Sequence, residues 1–247
     1  DGSSRGASRI FRTTPGEGEV YVRLARRARE LWRELERESG EDLLDIIGGL
    51  MLGPPESEFV QNSITLAKQY GHGHRLFDAK GLARQWHGLS IPSDWLACYM
   101  PQSGVLAADR ACSALLAAAR DAGAHLQFDT RIGVTDGPTL DDLLARFDKL
   151  VVAAGPWTAE LLPQAATVLQ TFRVSYAEFV MPYSPMPLIC SDDKFGTYGL
   201  PVAGGRYKIG MDAVGEENAN PDIPWRAGEL NRLTEAFGHF FPDVTPR

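Results

Sequence analysis

From Thr167 to Met211 the sequence alternates apolar with polar residues and is rich in Val, Tyr, Phe and Pro. A period of two over so long a stretch is the pattern of half-buried antiparallel sheet. Residues 108–122 are the opposite case. They are almost wholly Ala and Leu, with Arg110 and Arg120 set outside the apolar stripe, and the pattern predicts a helix closed by Gly123. One chain carrying both periods is a mixed α and β fold, and no internal repeat or low-complexity tract competes with that reading.

Further signals fall between these landmarks. Residues 1–18 read as loop. Val20, Leu24, Ala28, Leu31 and Leu35 then recur at helical spacing, widened by Tyr21, Ala25 and Trp32, and Gly40 stops the helix. The Arg26, Arg27, Arg29, Arg33 and Arg37 run reads as a solvated face laced with Glu rather than a nucleic-acid patch. Residues 43–52 read as strand broken by Gly48-Gly49, 56–70 and 78–86 as helices, and 90–104 as strands and turns. Residues 125–128 read as a strand, and Thr139 with Asp142 as a capping box. Residues 149–154 read as an apolar strand ending in the Gly155-Pro156-Trp157 turn. A Pro-rich turn at 220–224 leads to a last helix over 227–239. The expectation is two interleaved domains, 1–45 with 106–165 and 46–105 with 166–247.

Composition narrows the function classes. The 247 residues carry 25 Lys and Arg against 32 Asp and Glu, a formal charge of −7. Such a balance disfavours wrapping nucleic acid or an anionic membrane. Cys98, Cys112 and Cys190 are odd in number and widely spaced, which fits neither a disulfide framework nor a zinc ribbon but a reducing compartment, so the expected location is cytoplasmic. No apolar run reaches the roughly 18 residues that span a bilayer. His72 and His74 share a Gly-flanked loop without a neighbouring carboxylate or thiol, an incomplete metal site, and no metal is expected.

The common signatures G-x-G-x-x-G, P-loop, H-E-x-x-H, C-x-x-C and G-x-S-x-G are absent. Two segments stand out instead. In Gly2-Ser3-Ser4-Arg5-Gly6-Ala7-Ser8-Arg9-Ile10-Phe11-Arg12, three arginines are separated by small residues. Either this is a solvated basic loop, or it lets backbone approach a ligand while guanidinium groups meet anions. In Gly204-Gly205-Arg206-Tyr207-Lys208-Ile209-Gly210 a lone Lys sits within an alternating strand. It either faces solvent or is held in an enclosed site where its charge is tunable.

Taken in order, these residues resemble the monomeric sarcosine oxidase and N-methyltryptophan oxidase family, FAD-dependent amine oxidases of the D-amino-acid-oxidase type. The resemblance begins with the Ser3–Arg12 loop, Pro15-Gly16-Glu17-Gly18 and the Leu/Arg/Glu helix. It continues through Ser103-Gly104-Val105-Leu106, Ala153-Ala154-Gly155-Pro156-Trp157-Thr158, Tyr198-Gly199-Leu200-Pro201 and the Lys208 strand. It implies an α/β plus α+β fold, an FAD-binding domain interleaved with an antiparallel-sheet substrate domain.

The same resemblance implies roles. Arg12 would bind the substrate carboxylate. Ser3, Ser4, Arg5 and Arg9, with Gly155 and Trp157, would line the FAD, where positive charge favours the reduced anionic cofactor. Lys208 would promote reaction with O2, Tyr198 would belong to the active site, and Asp212 would stand where sarcosine oxidase has a histidine. An acid at that position makes a cyclic or larger imino acid a candidate substrate. The implied reaction oxidises a small secondary or N-methyl amino acid and reduces O2 to H2O2, with a same-fold dehydrogenase or a non-catalytic fragment as alternatives. The family's dinucleotide fingerprint and flavin-linking cysteine have no counterpart here, so the expectation is no covalent flavin and weak FAD binding by this chain alone.

Overall fold

The structure, a computed structural model, describes residues 3–4, 6–133, 137–184, 186–194, 196–212, 226 and 228–246. Its elements run β1 (Arg9–Phe11), α1 (Glu19–Ser39), β2 (Leu44–Asp45), β3 (Gly49–Gly53), α2 (Glu58–Gln69), β4 (Arg75–Phe77), α3 (Ala79–Gln85), β5 (Leu96–Met100), β6 (Gly104–Leu106) and α4 (Ala108–Asp121). There follow α5 (Leu140–Leu144), α6 (Thr158–Leu161), β7 (Tyr176–Val180), β8 (Leu188–Ser191), β9 (Thr197–Val202), β10 (Arg206–Met211) and α7 (Glu229–Phe240).

Local chemistry explains the helix ends. α1 stops at Gly40, whose φ of 72° is costly for a residue with a side chain, and its N–H returns to Glu36 O. The Glu36 carboxylate then accepts from Leu43 N and Leu44 N, so the residue whose carbonyl closes α1 also fixes the start of β2. Ser57 and Asp78 cap α2 and α3 by accepting from Val60 N and Gly81 N. Thr139 and Asp142 form the reciprocal capping box at α5. The predicted helix over 108–122 is α4, and Gly123 follows it with φ 91°.

Two sheets result. A three-stranded sheet has the order β1-β6-β2, and a seven-stranded sheet the order β4-β5-β3-β8-β9-β10-β7. All pairings are antiparallel except β3 with β8, which run parallel across a long crossover. Alternation along the larger sheet divides its side chains between two cores. On one face Leu50, Leu52, Ile189, Tyr207 and Ile209 pack against Phe237, Phe240 and Phe241 of α7 and its end, with Phe179 stacked on Phe237 at 4.3 Å. On the other face Met51, Cys98, Leu188, Cys190 and Leu200 meet Val60, Ile64 and Ala67 of α2. Beyond α2, the chain around β1 lies across this second face.

Two expected strands do not form. Residues 125–128 and 149–154 take no ladder hydrogen bonds, and Phe128 and Val151 are 63% and 86% exposed. An apolar run becomes a strand only beside a strand that can pair with it, and none of the described residues pairs with either segment. The stretch expected to be sheet from 167 instead opens with a 3₁₀ turn, Pro163–Thr167, and apart from an isolated bridge at Phe172 its strand pairing begins at Tyr176. β4, an edge strand not anticipated, pairs with β5. The predicted turn at 220–224 lies outside the described residues; the final helix begins at Glu229. Among the described residues no helix is long and apolar enough to cross a membrane.

Candidate active site

β10 supplies the centre of the site. Tyr207, Ile209 and Met211 belong to the α7 core, so Lys208 and Gly210 project from the opposite face. Neighbouring strands set what surrounds them. Lys208 lies between Leu200 of β9 and Glu178 of β7, and Gly210 between Tyr198 and Tyr176. A Cβ at Gly210 would stand 2.2 Å from the Tyr198 ring, so the missing side chain is what lets that ring lie over the strand.

The Lys208 side chain does not reach solvent. The residue is 6% exposed, and its ammonium donates to Ser8 O at 3.1 Å and Ser8 Oγ at 3.0 Å. It sits 4.8 Å from the centre of the Tyr176 ring. Burial, with the nearby Arg9 charge, lowers its pKa, while Glu178 acts in the other direction. Arg9 donates to Ser8 O at 2.8 Å and to Ser3 O, so both cations share one carbonyl. The loop itself is pinned to α4, through Gly6 N to Asp109 Oδ1 and Ala108 N to Ala7 O. That second bond satisfies a helix N–H that no side chain caps.

Arg12 is on the same face, but its fork is already filled. Its two terminal nitrogens donate to Glu17 Oε1 and Oε2 at 2.5 and 3.1 Å. Burial opposes the Arg12 charge, yet the hydrogen bond to Glu17 and the charges of Cys190, Glu17 and Asp212 leave its pKa raised. Burial raises Asp212, which Arg12 partly offsets and Glu17 and Asp193 reinforce. Burial and Asp212 push Tyr198 up to about 12, and burial pushes Cys190 up to about 11 despite Arg12.

The structure thus brings together Arg9, Arg12, Tyr198, Lys208 and Asp212 from segments almost two hundred residues apart, in keeping with the separation of Ser8 and Lys208. Ser3 takes part through its backbone, and Ser4 is exposed. Arg5 lies outside the described residues. Gly155 and Trp157 form a 3₁₀ turn whose glycine has φ 55°, and among the described residues neither makes a hydrogen bond or ion pair to the Lys208 group. Sequence reasoning missed Ser8, Glu17, Tyr176 and Glu178. Ser8 and Glu17 sat within segments singled out for their pattern, and the alternation of β7 marks Tyr176 and Glu178 as sharing a face. No group of His, Cys, Asp or Glu able to hold a metal occurs among the described residues.

Two fixed cations beside a small-residue loop form a donor set suited to a group that takes up negative charge, and comparison with known proteins identifies the class. The profile of the FAD dependent oxidoreductase family matches residues 1–247, and the chain belongs to that family. The chain is 31% identical to the N-methyl-L-tryptophan oxidase of Yersinia pestis (strain Pestoides F) over 261 residues, covering 98% of this chain and 70% of the relative. Among solved structures it is similar to NikD, described as an unusual amino acid oxidase essential for nikkomycin biosynthesis, in its open form. The TM-score is 0.73 at 20% identity, over 99% of this chain and 69% of that one. Glycine oxidase from Geobacillus kaustophilus gives 0.71 at 23%, over 98% and 69%. The expected cofactor, FAD, and the expected enzyme class, an oxidoreductase, therefore stand. So does the expected mixed α/β architecture with antiparallel sheet, the fold shared with these structures.

Proposed function

We propose that this chain forms part of an amine oxidase that oxidises a small secondary or N-methyl amino acid at its carbon–nitrogen bond and passes the electrons to O2, giving H2O2. The observation that carries this reading is the buried Lys208 ammonium, held by Ser8 next to Arg9 on the face that also bears Tyr198, Asp212 and Arg12. Bound FAD would supply the redox chemistry, taking up a hydride equivalent from the substrate and passing two electrons with two protons to O2.

The chain's own groups have separate tasks in this reading. Arg9 and Lys208 would face the flavin ring, with Ser3, Ser4, Arg5, Gly155 and Trp157 along its edges. Fixed positive charge there stabilises the negative charge of the reduced ring and of oxygen as it takes up electrons. Arg12 would bind the substrate carboxylate in a bidentate pair, which requires Glu17 to leave the guanidinium. Tyr198 stays protonated and available as a hydrogen-bond donor across the physiological range. Asp212 places a carboxylate near Arg12, and that charge favours a cyclic or larger imino acid. Residues 1–45 with 106–165 would form the FAD-facing domain, and 46–105 with 166–247 the substrate-facing one. The setting we propose is the cytoplasm, with no nucleic-acid or membrane partner.

The deciding experiment is stopped-flow kinetics on FAD-loaded protein carrying Lys208→Met. Flavin reoxidation by O2 should slow at least tenfold while reduction by substrate is nearly unchanged. Equal slowing of both steps, or none, would refute the assignment. Absence of H2O2 while substrate is consumed would turn the reading to a dehydrogenase.

A further inference from the structure

On β7, Tyr176 is the diagonal neighbour of Lys208, because Glu178 stands directly opposite the lysine and Tyr176 opposite Gly210. Gly210 offers no side chain to separate them. The ammonium therefore leans over the Tyr176 ring at 4.8 Å, within the distance at which the ring's quadrupole attracts a cation. Two further directions of the ammonium are taken by Ser8 O and Ser8 Oγ. The charged and titratable groups facing it are Arg9 from the β1 segment, Glu178 and Tyr176 from β7, and Tyr198 from β9. Arg206, further along β10, pairs with Glu178 at 3.1 Å and draws that carboxylate toward itself. The nearest carboxylate is thus shared with another cation, and the Tyr176 ring remains as a dedicated negative surface.

We propose that Tyr176 is a positioning residue, whose ring face holds the Lys208 ammonium charged and aimed at the flavin side of the site. This rests on the reading of Lys208 given above and adds to it the group that sets the lysine's geometry. Ser8 fixes the ammonium by two directional acceptors, and the ring covers one further side without demanding a proton. A carboxylate at that place would neutralise the charge that the site uses. An aromatic face stabilises the charge and leaves it in force.

The test uses the chain itself, labelled with 13Cε-lysine and titrated by NMR. Lys68, Lys80, Lys149 and Lys194 are exposed and Lys208 is buried, and Lys208→Met identifies its resonance by loss. Tyr176→Phe, which keeps the ring, should titrate within about 0.3 pH unit of the parent. Tyr176→Leu, which fills the space without a π face, should titrate about 0.5–1 pH unit lower, the loss expected for one cation–π contact. Tyr176→Trp, the stronger ring, should match or exceed the parent and serves if the leucine variant does not fold. A Tyr176→Leu titration equal to the parent, or a Tyr176→Phe shift equal to that of Tyr176→Leu, would overturn the proposal. In FAD-loaded protein, Tyr176→Leu should slow reoxidation at least threefold and Tyr176→Phe restore it. If Lys208→Met leaves reoxidation unchanged, the oxygen role of Lys208 falls, and the titrations still decide what the ring does.

Discussion

Gly210→Ala isolates the packing that builds the site. The glycine's φ lies outside the left-handed region, so its backbone accepts alanine, and the obstacle is the ring it faces. The new Cβ would meet Tyr198 Cζ at 2.2 Å, Oη at 2.3 Å and Cε1 at 2.7 Å, where ordinary contact begins near 3.4 Å. The ring must retreat by more than an ångström. Because the blocking atoms are the far end of a side chain, the cost should lie low in the overpacking range, about 1–2 kcal/mol. Gly104→Ala makes the contrast, since its Cβ would meet the Asp45 carbonyl oxygen, a backbone atom, at 2.1 Å. That variant should lose more, about 3 kcal/mol or above. Urea unfolding measures both. A second reading comes from Tyr198, raised to about 12 by burial and Asp212. Displaced toward water, it should titrate nearer the ordinary value of about 10, seen as tyrosinate absorbance that Tyr198→Phe removes. If Gly210→Ala costs under about 0.5 kcal/mol and leaves the tyrosine titration in place, the ring does not occupy the glycine's space and the reasoning fails.

The Glu17 contact has a consequence for carboxylate binding. Glu17→Gln removes the charge that competes for Arg12, and a simple carboxylate such as propionate should bind about two- to fivefold tighter by NMR titration, the worth of a half-exposed ion pair. Unchanged or weaker binding would refute the competition. Burial raises Cys98 to about 12 and Cys190 to about 11, so the folded chain retains protons that the unfolded chain releases above pH 9. The stability these thiols contribute is fully present below that value and is lost as pH rises toward 11 and beyond. Cys98→Ala should flatten the fall of urea midpoint with pH above 9, and an unaltered slope would exclude the thiol as its source.

Much of this architecture is local enough to read from residues in order. α1 and α4 follow from apolar spacing and a closing glycine, and α5 from a capping pair three residues apart, because each is settled within a turn or two of chain. The alternation of β9 and β10 likewise places Lys208 and Gly210 on one face before any partner is known. Resemblance to a known family supplied Arg12, Tyr198 and Asp212 as members of one site.

What the order of residues leaves open is decided by which segments lie side by side. Residues 149–154 have the composition of a buried strand and form none, since a strand exists only through hydrogen bonds to a neighbour. Arg12 meets Glu17 because the loop folds back on itself. Ser8 meets Lys208 across two hundred residues only when β1 crosses the outer face of the large sheet. Tyr176 reaches the ammonium only in the register that sets it opposite a glycine; a shift of one residue would turn its ring to the other face. Residue spacing therefore determined the elements and the side from which each functional group projects. The pairing of strands distant in the chain determined which groups meet, because hydrogen bonds and close packing act through space.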